Sequence, residues 1–255
     1  MKEIIKYPSL QNKNILVTGG ASGIGESIVE CFLHQDSKVV FFDKEKELGE
    51  NLVKKLNNYK YQPIFKECDL VKIADIKAKI IEIQNELGPI SVLVNNAAND
   101  DRHKIDDVTP EYWDNRMNVN LRHYFFTAQS LYKDMQKLGS GSIINIGSYS
   151  WMLPQGGMAG YATAKSAIMG LTRTLARDLG VYNIRVNCVV PGWIMTERQK
   201  KLWLNPEIEK ATLEKQCIKR LLEPEDISKV VLFFASNQSS GISAQNYVVD
   251  GGIMV

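Results

Sequence analysis

The sequence contains no long apolar run, no block of like charge and no clustered cysteines. A helix that crosses a bilayer needs about 20 largely apolar residues in succession, and no stretch here reaches about 18. The opening Met1-Lys2-Glu3-Ile4-Ile5-Lys6 lacks the apolar centre of an export signal. Neither a membrane span nor export is expected. Lys and Arg total 31 against 29 Asp and Glu, a formal charge of +2. With no long run of either sign, nothing points to nucleic acid or an anionic membrane as a partner. Histidine is scarce: His34, His103 and His123 stand far apart, and no metal site is expected from them. His34 reads as a helix-end residue and His123 as structural; only His103, in a polar loop, has a plausible functional reading. Cys31, Cys68, Cys188 and Cys217 form no Cys-x-x-Cys. The first three lie in apolar or helical stretches and read as core residues of a reduced, cytoplasmic protein. Repeats, low-complexity segments and Pro/Gly-rich linkers are also missing. That leaves no boundary at which to divide the 255 residues, and a single domain over 1–255 is expected.

What is present is a regular alternation. Short β-rich runs occur at Ile15–Val17, Val39–Phe42, Tyr61–Lys66, Val92–Val94, Ile143–Ile146, Arg185–Val190 and Tyr247–Val249. Helix-length stretches such as Ile24–His34 and Ile73–Leu87 lie between them. Alternation of this kind implies βαβ units and a parallel sheet covered on both faces. The expected fold class is α/β: a doubly wound, Rossmann-type three-layer sandwich with a seven-stranded parallel sheet. The segment from Thr196 to Glu223 is the least strand-like and reads as a helical insertion near the site.

The first strand runs into Thr18-Gly19-Gly20-Ala21-Ser22-Gly23-Ile24-Gly25. Glycines there permit a tight turn and let backbone approach a pyrophosphate, which rests on a helix N-terminus. Gly19, Ser22, Gly23, Ile24 and Gly25 are therefore cofactor candidates. Asp43 ends the second strand about 20 residues on, where a carboxylate can bond both hydroxyls of an adenosine ribose. It can also be a plain helix N-cap; the loop and helix around it favour the ribose. Such a carboxylate repels a 2′-phosphate, so NAD is expected over NADP, with Lys44 softening the preference. Asp69-Leu70 after the third strand and Asn96-Ala97-Ala98 after the fourth face the same crevice, since the first and fourth strands flank the switch point. For Asp69 an N-cap role is equally open.

Tyr161 and Lys165 stand four apart, with Ser148 thirteen residues upstream of Tyr161. On a helix that spacing puts phenol and ammonium on one face. A charge about 6 Å away, at an effective dielectric near 20, favours the phenolate by roughly 3 kcal/mol, or about two pKa units. That carries a phenol toward the range of a general acid or base.

Taken with Asn95-Asn96-Ala97, Asn118-Val119-Asn120, Pro191-Gly192 and Asp250-Gly251-Gly252, these motifs resemble the short-chain dehydrogenase/reductase family over nearly the whole chain. The resemblance implies that Asn120, Ser148, Tyr161 and Lys165 are the catalytic set. Tyr161 takes the substrate proton, Lys165 favours the phenolate and bonds the nicotinamide ribose, and Ser148 orients the substrate oxygen. Asn120 holds a water that links Lys165 to solvent. It further implies that Pro191, Gly192 and Ile194 line the nicotinamide pocket and that Thr196 bonds the carboxamide. Ala98 departs from the pattern, which has glycine there.

Asn99-Asp100-Asp101-Arg102-His103, with Tyr112-Trp113-Asp114, Leu121-Arg122-His123 and Gln216-Cys217, is similar to a narrower branch, the sugar-oxidising aldose 1-dehydrogenases. That resemblance implies a free aldose as substrate, an aldonolactone as product and a homotetramer. A polyol needs several hydrogen-bond partners and an apolar platform. Asn99, Asp100, Arg102 and His103 can supply the first, with Ser148 and Ser150. Trp151 or Trp193 can supply the second, though either can equally be a core or subunit-contact residue. A ketoreductase of the acyl-thioester or small-ketone type is the alternative; Asp43 and the acidic loop speak against it. A non-catalytic NAD-binding regulator has no need of the intact catalytic set.

Overall fold

The computed structural model describes residues 5–254, so four residues of the opening hexad lie outside the described residues. Among these residues the strands are β1 Asn14–Thr18, β2 Lys38–Asp43, β3 Ile64–Glu67, β4 Val92–Asn95, β5 Gly141–Ile146, β6 Ile184–Pro191 and β7 Asn246–Val249. They form one sheet in the order β3-β2-β1-β4-β5-β6-β7, parallel throughout. Every expected strand is present. The third is displaced: Tyr61 and Gln62 stay outside it, and pairing starts after Pro63, which has no N–H to give.

The helices are α1 Gly23–His34, α2 Lys46–Lys55, α3 Ile73–Leu87, α4 Pro110–Met117, α5 His123–Lys137, α6 Ala159–Leu179, α7 Glu197–Trp203, α8 Pro206–Lys215 and α9 Pro224–Ala235. They cover both faces of the sheet, and strand alternation sorts the core between them. Ile15 and Val17 pack with Ile28 and Phe32 of α1 and Val231 of α9. Leu16 and Val40 turn the other way, to Ile80 of α3, Leu131 of α5 and Leu175 of α6. A fully buried side chain of this size contributes about 1.5–3 kcal/mol, so the central strands hold the scaffold rigid beneath the loops. Cys31, Cys68 and Cys188 are buried free thiols, while Cys217 is exposed. The Thr196–Glu223 segment is helical as expected, folding into α7 and α8.

β1 pairs with β2 on one side and β4 on the other. The chain order reverses there, which opens a crevice beyond the carboxyl ends of the strands.

Candidate active site

At the crevice the glycine loop is shaped by what it touches. Gly19 has φ +65°, and a Cβ added to it would lie 2.6 Å from the Ala97 Cα. Gly25, in the first turn of α1, lies so close to the loop that a Cβ there would fall 1.9 Å from the Gly19 carbonyl oxygen. Asn96 closes the loop from β4. Its Nδ2 donates to the carbonyls of Thr18 (3.1 Å) and Gly19 (2.9 Å), and its backbone N–H donates to Thr18 Oγ1 at 3.0 Å. The result is a bare backbone cradle at a helix N-terminus, opening on a cavity of about 1300 Å³.

Every cofactor candidate lines that cavity: Gly19, Ser22, Gly23, Ile24, Gly25, Asp43, Lys44, Asp69, Leu70, Asn96, Ala97, Ala98, Tyr161, Lys165, Pro191, Gly192, Ile194 and Thr196. Asp43 is not the N-cap of α2, a position held by Glu45. Its Oδ2 accepts from the Ala21 N–H at 3.0 Å and its Oδ1 from the Glu45 N–H at 3.1 Å, so the carboxylate is fixed at the cavity edge. Asp69 is not a cap either, since Lys72 precedes α3. Asp69 Oδ1 accepts from the Val71 N–H at 3.1 Å.

Ser148 follows β5, and its Oγ lies 3.1 Å from Ser150 Oγ. Tyr161 and Lys165 share a face of α6, with Lys165 Nζ 5.7 Å from the centre of the Tyr161 ring. The ammonium donates to the Ile146 carbonyl at 2.8 Å and to the Tyr124 hydroxyl at 3.0 Å. Here the sequence-based electrostatics need correction. Burial pushes the Tyr161 phenol up to about 12, with the Ser148 hydrogen bond opposing it. Burial likewise pushes Lys165 down to about 7. The Coulomb argument counted the attraction of the pair and left out the cost of drying both groups, which is larger here. Tyr161 still keeps part of its surface open to the cavity.

Asn120 does not line the cavity. It sits fully buried in a π-helical turn, Asn118–Arg122, between α4 and α5. Its Oδ1 accepts from the Asn99 N–H at 2.8 Å and its Nδ2 donates to the Arg116 carbonyl at 3.0 Å. The side chain thus anchors the loop after β4. His123 is buried behind it and is structural: burial pushes its imidazole down to about 3, and Nε2 lies 3.1 Å from the Ala97 carbonyl oxygen.

Of the residues expected at the substrate, Asn99, Asp100, Arg102, Ser148, Ser150 and Trp193 line the cavity. His103 and Trp151 do not. The His103 N–H is tied to the Gly157 carbonyl at 2.9 Å, and the ring turns back onto Tyr112, its Nδ1 3.0 Å from the phenol oxygen. The short turn Tyr149–Trp151 brings Tyr149 and Ser150 to the wall and leaves Trp151 off it. Asp100 pairs with Arg198 and accepts from Gln199 Nε2 at 3.0 Å. Gln199 Oε1 in turn accepts from the Trp193 indole N–H at 2.9 Å, and the Arg102 guanidinium lies 5.4 Å from the Trp203 ring centre. The 99–103 loop is therefore clasped to α7 across the cavity mouth.

The chain is similar to known proteins over nearly its whole length. A family model described as enoyl-(acyl carrier protein) reductase matches residues 19–254. The D-xylose 1-dehydrogenase of Caulobacter vibrioides is 46% identical over 96% of this chain and 97% of its own. A Rhizobium meliloti protein named "Probable galactose dehydrogenase GalD" is 43% identical over 97% of each chain. A solved structure from Sinorhizobium meliloti 1021, described as a "putative short-chain alcohol dehydrogenase", superposes with a TM-score of 0.90 at 26% identity, covering 96% of this chain and 98% of that one.

The chain belongs to the short-chain dehydrogenase/reductase family. Members are oxidoreductases that use a nicotinamide cofactor. In this short-chain dehydrogenase/reductase Ala98 is exposed on the cavity wall, so its methyl is accommodated without crowding the core. Tyr149, Gln155, Arg198, Gln199 and Trp203 also line the cavity and were not among the expected site residues. The only sequence signal for the last three was the charged, Trp-bearing insertion that contains them. Among the described residues no group of His, Cys, Asp or Glu is arranged to hold a metal ion, and no helix is long and apolar enough to cross a membrane.

Proposed function

We propose that this enzyme oxidises the anomeric carbon of a free pentose or hexose with NAD, giving an aldonolactone. The observation that carries the reading is the wall beside Tyr161 and Ser148. Asn99, Asp100, Arg102 and Trp193 line the same cavity as Tyr161 and Ser148 and bring donors, acceptors and an aromatic ring to it. The names of the Caulobacter and Rhizobium relatives support the same substrate class. In the ring form C1 carries a hydroxyl and a hydrogen, the same H–C–O–H unit as a secondary alcohol. Ser148 holds the C1 oxygen, and Tyr161 takes its proton as the C1 hydrogen leaves as hydride. Lys165 stabilises the ionised Tyr161 and would bond the nicotinamide ribose with its remaining hydrogen. Asn120 contributes through the Asn99 backbone and a water-borne proton path from Lys165. Bound NAD supplies the hydride acceptor and a positive nicotinamide ring. The cradle at Gly19 and Gly25, which a Cβ would fill, fits its pyrophosphate, and the fixed Asp43 carboxylate fits its ribose diol. Pro191, Gly192, Ile194 and Thr196 line the cavity and would hold its nicotinamide.

The test is NAD reduction at 340 nm with xylose, arabinose, fucose and galactose, each alone. At least one sugar is expected to be oxidised, and Asn99→Ala or Arg102→Ala should raise KM for the sugar more than for NAD. An unpaired polar group in a closed site costs about 1–3 kcal/mol, so epimers should be separated by roughly 5- to 150-fold. If no sugar is oxidised while a β-ketoacyl thioester is reduced, the ketoreductase alternative holds.

Cofactor choice has its own check. A charged hydrogen bond to the ribose diol is worth about 1.5–3 kcal/mol. Asp43→Ala is therefore expected to weaken NAD and relieve the repulsion of NADP. An unchanged NAD/NADP ratio of kcat/KM would leave Asp43 as a purely structural turn residue.

The same reading has the chain acting as one catalytic domain in a cytoplasmic homotetramer.

A further inference from the structure

We propose that Tyr124 is a positioning residue that holds the Lys165 ammonium in place through its phenol oxygen. The inference rests on the reading of Lys165 as the group that stabilises ionised Tyr161 and bonds the nicotinamide ribose. Tyr124 lies on α5, fully buried among Ile168, Cys188 and Val190. Its hydroxyl is 3.0 Å from Lys165 Nζ and 2.9 Å from the Ile146 carbonyl oxygen. Protonated lysine has only donors, so at their contact the phenol must accept. Its single hydrogen then goes to Ile146, whose carbonyl also accepts from Lys165 at 2.8 Å. Two ammonium hydrogens are thereby fixed, and the third remains for the cavity that Lys165 lines.

The groups facing Lys165 explain why an uncharged phenol matters. On its own helix stands Tyr161, on α5 His123 and Tyr124, and on β6 Cys188. Burial holds the Cys188 thiol up near 12 and the imidazole down near 3, so at neutral pH the first supplies no negative charge and the second no positive one. Among the described residues no carboxylate acts on Lys165. Hydrogen bonds to Ile146 and Tyr124 help keep the cation, against a burial that lowers it to about 7. Removing one acceptor lowers it further, so the charge is lost at a lower pH.

Tyr124→Phe keeps the ring and deletes the oxygen. A hydrogen bond to a charged group corresponds to about 1–2 pH units of ionisation. The alkaline limb of the kcat profile should therefore move down by about one pH unit or more, and NAD Kd should rise about 3- to 10-fold. On a Lys165→Ala background the same substitution should leave NAD Kd unchanged, because the oxygen acts through the ammonium. NAD binding is read by tryptophan fluorescence and needs no sugar, so it decides the matter even if the aldose reading fails. Should Tyr124→Phe not fold, Tyr124→Met, which refills the pocket without a hydroxyl, carries the same expectations. The proposal is overturned if the folded variant keeps its pH profile and an NAD Kd within about twofold of wild type. It is equally overturned if the loss of NAD affinity persists at full size in Lys165→Ala.

Discussion

Replacing Tyr161 with phenylalanine is expected to lower kcat by about 10²–10⁴-fold while NAD still binds. Ring packing survives, including the approach of Lys165 Nζ to within 5.7 Å of the ring centre. What is lost is the phenol oxygen that hydrogen-bonds Ser148 and can take a proton. No nearby group replaces it. Ser148 is an alcohol bonded to Ser150, the Tyr124 hydroxyl already donates to Ile146, and His123 lies buried behind the wall. Lys165 reaches the neutral form most readily, but its donors hold Ile146 and Tyr124. The measurement is steady-state turnover alongside NAD titration. Turnover within about threefold of wild type would remove Tyr161 from the proton transfer.

Gly25→Ala is expected to raise NAD Kd by more than about 30-fold and to destabilise the fold by about 1–3 kcal/mol. The added Cβ would lie 1.9 Å from the Gly19 carbonyl oxygen and 2.7 Å from Asn96 Nδ2. The first of these is backbone and cannot swing aside, so the phosphate cradle itself must open. A loss of that size lowers Tm by roughly 2–12 °C in a domain of this length. Gly170→Ala is the control: in the middle of α6 an added Cβ meets nothing within 4 Å. That variant should keep NAD affinity and gain slightly in stability, as alanine does over glycine in a helix. Calorimetric NAD titration and thermal melts of both variants check this. Equal Kd values for the two would mean that the loop yields without cost.

Much of the fold is legible in the sequence because it is local. The strand centres and the helices Ile24–His34 and Ile73–Leu87 follow from apolar periodicity and are found within a residue of the expected bounds. The glycine loop and the Tyr161/Lys165 face are equally local. The cavity wall around Asn99, Asp100 and Arg102 is not. Asp100 meets Arg198 across 98 residues of sequence, and no pattern near either one announces the partner. His103 was drawn to the site by its place in a polar loop, yet the bond to Gly157 fixes its direction. The ionisation of Tyr161 and Lys165 escaped for a related reason. Spacing gives the distance between charges, whereas desolvation depends on β5, β6 and α5 closing around them.

The three bonds from Asn96 to Thr18 and Gly19 reach back 77 or 78 residues. During synthesis the glycine motif emerges early, with α1 behind it, but the strand that shapes it is made much later. Until β4 pairs with β1, the loop has its sequence without its form, and closing so long a segment costs entropy that only the finished contacts repay. Dinucleotide affinity therefore arrives late and abruptly as the chain lengthens. A growing copy of this chain is expected to gain cofactor affinity only once β4, Val92–Asn95, has been made, and binding then favours the half-built sheet.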